Sequence, residues 1–170
     1  RQMLEEVLVL RRKVLGPEHP DTLTTMHYLA FSYHKANLGK KAIAMLEEVL
    51  PLRRKALGAE HPDTLTTMHF LADVYQRNGR RKEAFHLFEE ALALRRKVLS
   101  PEHPDTLMTM HYLALTQAMF WDPSLGSPGN SRQMLEEVLV LRRKVLGPEH
   151  PDTLLTMHYL AGNYFNGGRR

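Results

Sequence analysis

Histidine is the side chain in this sequence with the widest chemical range, since an imidazole can ligate a metal or both donate and accept hydrogen bonds, and the chain carries ten of them. Four recur in one setting: His27, His69, His111 and His158 are each followed by an aromatic residue, Tyr28, Phe70, Tyr112 and Tyr159. Metal chelation needs two ligands on one helical face or a short ligand-rich loop. His19 and His27 lie eight residues apart, the Glu-His pairs fall in turns, and neither H-x-x-x-H nor H-E-x-x-H occurs, so no single helix presents two ligands. Nucleophilic catalysis is no better served, for there is no cysteine, no G-x-S-x-G elbow and no glycine-rich phosphate loop. The expectation is a non-catalytic protein with no metal and no cofactor.

The elements that must position these histidines are announced by a repeat. The pentapeptide HPDTL occurs at His19–Leu23, His61–Leu65, His103–Leu107 and His150–Leu154, at offsets of 42, 42 and 47 residues. A period in this range signals stacked supersecondary units, none of which can bury its apolar face alone. The core is therefore expected as a strip shared between neighbours and not as one central globule.

The copy from His61 to Ser100 shows how one unit is written. Leu65, Met68, Leu71, Ala72 and Tyr75 recur at helical spacing and define the apolar stripe of a first helix, A. His61 before a proline is pushed out of the α region, Pro62 suits the first turn, Asp63 complements the positive dipole end, and Asn78-Gly79 closes the helix. A second helix, B, follows with Ala84, Leu87, Phe88, Ala91, Leu92, Leu94, Val98 and Leu99, a face broad enough to be packed from two sides. Arg95, Arg96 and Lys97 fall in its last turns and read as cations near the negative dipole end. Along the chain this predicts eight helices: B 2–15, A 20–37, B 40–57, A 62–78, B 81–99, A 104–121, B 131–146 and A 151–166, with an irregular loop at 122–130.

Paired A and B helices with a small residue in each at the crossing (Ala72 and Ala84), and an aromatic behind it (Tyr75), resemble the tetratricopeptide repeat. The period resembles its 42-residue variety, found in kinesin light chains and in the sensor arrays of some signalling NTPases. The resemblance covers essentially the whole chain, 1–170, and implies an all-α fold, a solenoid of stacked antiparallel helix pairs wound as a right-handed superhelix. It further implies a concave face lined by the A helices. With the stripe of the second unit buried, its opposite side shows Thr66, His69, Phe70, Asp73, Gln76 and Arg77. Matched positions give Thr24, His27, Tyr28, Phe31, His34 and Lys35 before it, and His111, Tyr112, Leu115, His158 and Tyr159 after it. In kinesin light chains the phrase after HPD-T carries paired asparagines that hydrogen-bond an extended peptide; here His plus an aromatic stands in their place. The implied function is a scaffold that binds a peptide or protein partner on the helix-A face. The same His-aromatic pairs could instead pack between neighbouring A helices and set the curvature.

The charge balance adds little to that picture. The LRRK segments supply 12 basic residues against 16 acids in the EE pairs and HPD-type turns, so the repeated part is net negative and the total of +4 comes from the other turns. This reads as solubility and helix-end charge, and nucleic-acid binding is not expected. No apolar run is long enough to cross a bilayer, no signal peptide is evident, and the absence of cysteine suits a cytoplasmic setting. The chain reads as a fragment that opens on a B helix and closes on an A helix.

Four departures from periodicity stand out. Pro51 sits where the other B helices carry Val9, Ala93 and Val140, and predicts a bend. Five residues are added between Ala114 and Leu135, within WDPSLGSPGNS at Trp121–Ser131, where Asn130 or Ser131 could cap the next helix and Trp121 could anchor a contact. In that unit Gln117 replaces the tyrosine of Tyr33, Tyr75 and Tyr164, which predicts a looser joint. Finally, Arg1–Leu23 and Arg132–Leu154 are identical over 23 positions. The uncovered first B and last A helices predict head-to-tail self-association.

Overall fold

A computed structural model of the chain describes residues 1–119 and 128–167. Among the described residues there are eight α-helices and no strand: α1 (Gln2–Val14), α2 (Pro20–Lys35), α3 (Gly39–Leu57), α4 (Pro62–Arg77), α5 (Arg81–Val98), α6 (Pro104–Met119), α7 (Pro128–Val145) and α8 (Pro151–Gly167). Odd-numbered helices are the B helices and even-numbered ones the A helices. Their packing forms two compact units, Arg1–Leu87 and Phe88–Arg170, where the sequence reads as one array. The division falls inside α5.

In the first unit α1 packs on α2, α2 on α3 and α3 on α4; in the second α6 packs on α7 and α7 on α8. The core is the predicted strip. Leu65, Met68, Leu71, Ala72 and Tyr75 are all buried, as are Ala84, Phe88, Ala91 and Leu92. Val98, expected on the same face, is exposed.

The HPDTL turn works atom by atom in every copy. His19 and His61 have extended backbones, and their Nδ1 accepts the N–H of Asp21 and Asp63 at 3.2 and 3.1 Å, so the histidine itself is the N-cap. His103 and His150 do the same for Asp105 and Asp152 at 3.2 Å. Proline then occupies the first helical position, where no donor is missed.

The basic residues of the LRRK segments fall in the last turns as expected, Arg95, Arg96 and Lys97 among them, but the first arginine has a further role. The first arginine of each does not simply sit at the dipole end: Arg53, Arg95 and Arg142 are buried, at 4, 2 and 2% exposure. Arg95 Nη1 donates to the Asp105 carbonyl at 2.7 Å and to Thr109 Oγ1 at 2.6 Å. Arg53 makes the same pair of bonds to Asp63 and Thr67, Arg142 to Asp152 and Thr156, and half-buried Arg11 to Asp21 and Thr25. Each threonine in turn donates to the same aspartate carbonyl. A planar guanidinium holding two acceptors at once ties the end of a B helix to the first turn of the A helix that follows.

The opposite ends are tied by tyrosine. Tyr33 donates to Glu5 at 3.0 Å, Tyr75 to Glu47 at 2.7 Å, and Tyr164 to Glu136. Because the C-terminal part of each A helix meets the N-terminal part of the preceding B helix, while the arginine joins their other ends, the two run antiparallel. In α6 the position belongs to buried Gln117.

Two further expectations need correction. α7 begins at Pro128, so Asn130 and Ser131 lie within it and not at its cap, and the irregular segment is shorter than 122–130 at that end. Proline at a first helical position again explains the start. α6 ends at Met119, and Trp121, proposed as an anchor, lies with the rest of 120–127 outside the described residues. α3, meanwhile, runs unbroken from Gly39 to Leu57 through exposed Pro51.

Candidate functional site

The A helices place the predicted face differently in the two units. In the first, α2 and α4 lie side by side with Phe70 of α4 beneath three rings of α2. Its centroid is 5.5 Å from His27, 5.6 Å from Phe31 and 5.6 Å from His34, the last edge-on. Tyr28 and Phe31 stand out from this cluster, 60 and 46% exposed. Lys35 extends its ammonium over the Phe31 ring at 5.3 Å.

Charge gathers at the C-terminal end of the same face. Asp73 accepts both its bonds from Arg77 Nε at 3.0 Å, one turn on, and lies 4.0 Å from His34 Nε2. Beyond them is a cleft of about 390 Å³ lined by His34, Lys35, Asn37, Gly39, Arg77 and Asn78. Among the lining residues Gly39 meets the Asn78 side chain closely: a Cβ there would lie 2.0 Å from Asn78 Oδ1. Asn37 lies in the turn after α2, Gly39 opens α3 and Asn78 caps the end of α4, positions off the helical faces that periodicity picks out; the signal in the sequence is their turn chemistry, with Asn37 in the left-handed region at φ 57°.

His27 faces inwards. Its Nδ1 is 3.4 Å from Thr67 Oγ1, the same hydroxyl that receives Arg53. Burial, seconded by the Arg53 charge and opposed by Asp63, pulls its pKa down to about 4, so it is neutral near pH 7. His34 is lowered in the same sense by burial, against the pull of Asp73. His69 and Gln76 are half-buried on α4, and among the described residues the Gln76 Oε1 meets no hydrogen-bond donor.

In the second unit the predicted face is partly closed. His111 is 1% exposed, its Nδ1 is 3.4 Å from Thr156 Oγ1, its ring is 5.6 Å from Tyr159, and its pKa falls to about 4 by burial and the nearby Arg142 charge. Leu115 is buried with Ala114, Leu135 and Leu160. These two leave the candidate binding set, since α8 and α7 cover them; the identity of a residue type with an exposed one in another copy does not keep it exposed. Tyr112 is half-buried and stacks on Phe88 at 6.0 Å. His158 is exposed and Tyr159 half-buried. Thus the two roles foreseen for the His-aromatic pairs divide: His27 and His111 pack between A helices, while Tyr28, Phe31 and His158 face outward.

Among the described residues no three His, Asp or Glu side chains converge as metal ligands, and no helix is long and apolar enough to cross a membrane.

Profiles described as tetratricopeptide repeat match residues 1–55, 28–97 and 63–122, and another of the same description matches 124–152. Among solved structures, a kinesin-light-chain-type protein of Podosopora anserina with nearly identical TPR-like repeats is 36% identical, with 99% of this chain and 78% of that one covered and a TM-score of 0.82. A point variant of that protein is similar at 35% identity over 99 and 77%, with a TM-score of 0.83. BtubC (BKLC) from P. vanneervenii shares the fold, at 20% identity over 98 and 65% and a TM-score of 0.83. No curated protein matches.

Proposed function

We propose, from the premise that this chain belongs to the tetratricopeptide repeat family, that it is a non-catalytic scaffold whose α2–α4 face binds a peptide segment of a protein partner. The observation that carries this reading is the pair of exposed aromatics, Tyr28 edge-on to His27 and Phe31 against Phe70, beside the cluster that Phe70 makes with His27 and His34. Exposed aromatic rings offer flat apolar area at low entropy cost and supply the kind of anchor that dominates interface energies. Lys35, Arg77 and Asp73 at the end of the face offer charges for orientation. The cytoplasmic setting expected of a cysteine-free chain suits such a role.

The test uses a displayed library of random short peptides selected on the 170-residue chain. Peptides so obtained are expected to lose binding to Tyr28→Ser and Phe31→Ser variants of unchanged helicity, while Tyr159→Ser leaves binding intact. Undiminished binding by both α2 variants would overturn the assignment of this face.

A further inference from the structure

The cleft of about 390 Å³ at the end of the α2–α4 face differs in chemistry from the aromatic surface that leads to it. Its lining residues carry two permanent cations, Lys35 and Arg77, one imidazole, His34, and no carboxylate. The acids on the neighbouring turns are already engaged. Asp73 accepts from Arg77 Nε at 3.0 Å, Glu47 from the Tyr75 hydroxyl and Arg80 Nη1 at 2.7 Å each, and Glu83 from Arg80 Nε at 3.0 Å. More cations stand behind the rim, with Lys40 and Lys41 in the first turn of α3 and Arg81 and Lys82 in that of α5. Gly39, which also lines the cleft, is the first residue of α3, and its N-cap Leu38 makes no side-chain cap bond, so the positive end of that helix dipole borders the same space.

This arrangement suits a compact anion of high charge. A lone carboxylate would leave one of the two cations unmatched and much of the volume unfilled. A phosphate monoester carries nearly two negative charges near pH 7 and three acceptor oxygens, which a guanidinium fork, an ammonium and a neutral imidazole can share. Burial keeps His34 in that neutral form, in which it hydrogen-bonds without adding charge.

The line of α2 indicates what carries the phosphate. Tyr28 and Lys35 are seven residues apart on one side of the helix, a rise of about 10 Å, which an extended peptide covers in about three residues. We propose that the cleft receives the phosphate of a phosphoserine or phosphothreonine in a peptide whose preceding or following residues lie on Tyr28 and Phe31. The inference rests on the peptide-binding reading of this face and adds to it a subsite that selects for phosphorylation.

A synthetic array of random peptides built around one fixed phosphoserine, probed with the 170-residue chain, tests it, each hit being remade with serine and with glutamate at that position. By fluorescence anisotropy the phosphorylated form should bind about tenfold or more tightly than either counterpart. Lys35→Gln and Arg77→Gln should each cut that advantage to about threefold or less while the serine form binds as it does to the parent chain. Lys55→Gln, an exposed cation at the far end of α3, should preserve the advantage. In NMR the phosphopeptide should raise the titration midpoint of His34, because a dianion beside the ring favours its charged form, and leave that of His158 in place. Equal affinity of the three forms, a Lys55→Gln variant as impaired as Lys35→Gln, or an unmoved His34 midpoint would overturn the proposal. So would phosphoinositide vesicles that bind through Lys35 and Arg77 when phosphopeptides gain nothing, which would give the cleft to a lipid headgroup. Loss of the phosphate advantage with the serine peptides still dependent on Tyr28 and Phe31 would remove this subsite alone, whereas binding indifferent to both rings would remove the peptide face itself.

Discussion

Two parts of the repeat behave in opposite ways. At the B-to-A turns, four copies place the same atoms in the same relation: the first LRRK arginine on the aspartate carbonyl and threonine hydroxyl of the next helix, at separations of 10 and 14 residues each time. On the A-helix faces, one residue type meets several fates, with His111 buried, His27 and His69 half-buried and His158 exposed. The turn is closed by residues within one hairpin and so travels with the repeat. The face depends on which helix lies next door, and that changes from copy to copy.

If that distinction holds, its largest consequence is at Arg95. Replacing it by alanine removes two charge-assisted bonds and a buried stem, and should cost about 4 kcal/mol in urea unfolding. Arg11→Ala removes the same bonds from a half-exposed site and should cost about 1 kcal/mol. Equal losses would break the argument that burial, and not the bond pattern alone, sets the contribution of the turn.

Acid should expose the other half of the comparison. His27 and His111 have folded pKa values lowered to about 4, so between there and the ordinary value near 6.5 the unfolded chain binds more protons than the folded one. Their contribution is fully present above about pH 6.5 and is lost as pH falls towards 4, by up to about 3 kcal/mol for each histidine. Urea midpoints of the parent chain should drop across that window, and His111→Leu should flatten the slope. An identical slope in that variant would mean that His111 is not held neutral by its surroundings.

A smaller effect sharpens the point where turn and face meet. Thr67 Oγ1 serves both Arg53 and the His27 side of α2, so Thr67→Val should cost about 1 to 2 kcal/mol, with Arg53 retaining the Asp63 carbonyl. The smallest change is expected on the surface: Lys144, paired with Glu102 at 2.6 Å but 64% exposed, should cost under about 0.5 kcal/mol as Lys144→Ala.

How much of this could be read from the residues follows the same division. The A stripe of Leu65, Met68, Leu71, Ala72 and Tyr75 and the extended histidine before each proline were legible because periodicity and proline geometry act locally. The buried arginine was not, since a cation in a last helical turn has a sufficient local explanation. The signal lay in the pairing of arginine with a threonine 14 residues on in every copy. His111 and Leu115 were misplaced on a free surface because matching them to His69 and Asp73 carried over a position in the repeat and not its neighbours. Asn130 or Ser131 reads as a cap because small polar residues favour that role, whereas the helix begins earlier, at Pro128.

Titration of the histidine ring signals by NMR reads the central distinction at the residues concerned. His27 and His111 should change their chemical shifts with midpoints near pH 4, well below the range of an ordinary imidazole. Midpoints near 6.5 for both would show these rings to be solvated, and would contradict the account of A helices that bury their histidines against a neighbour.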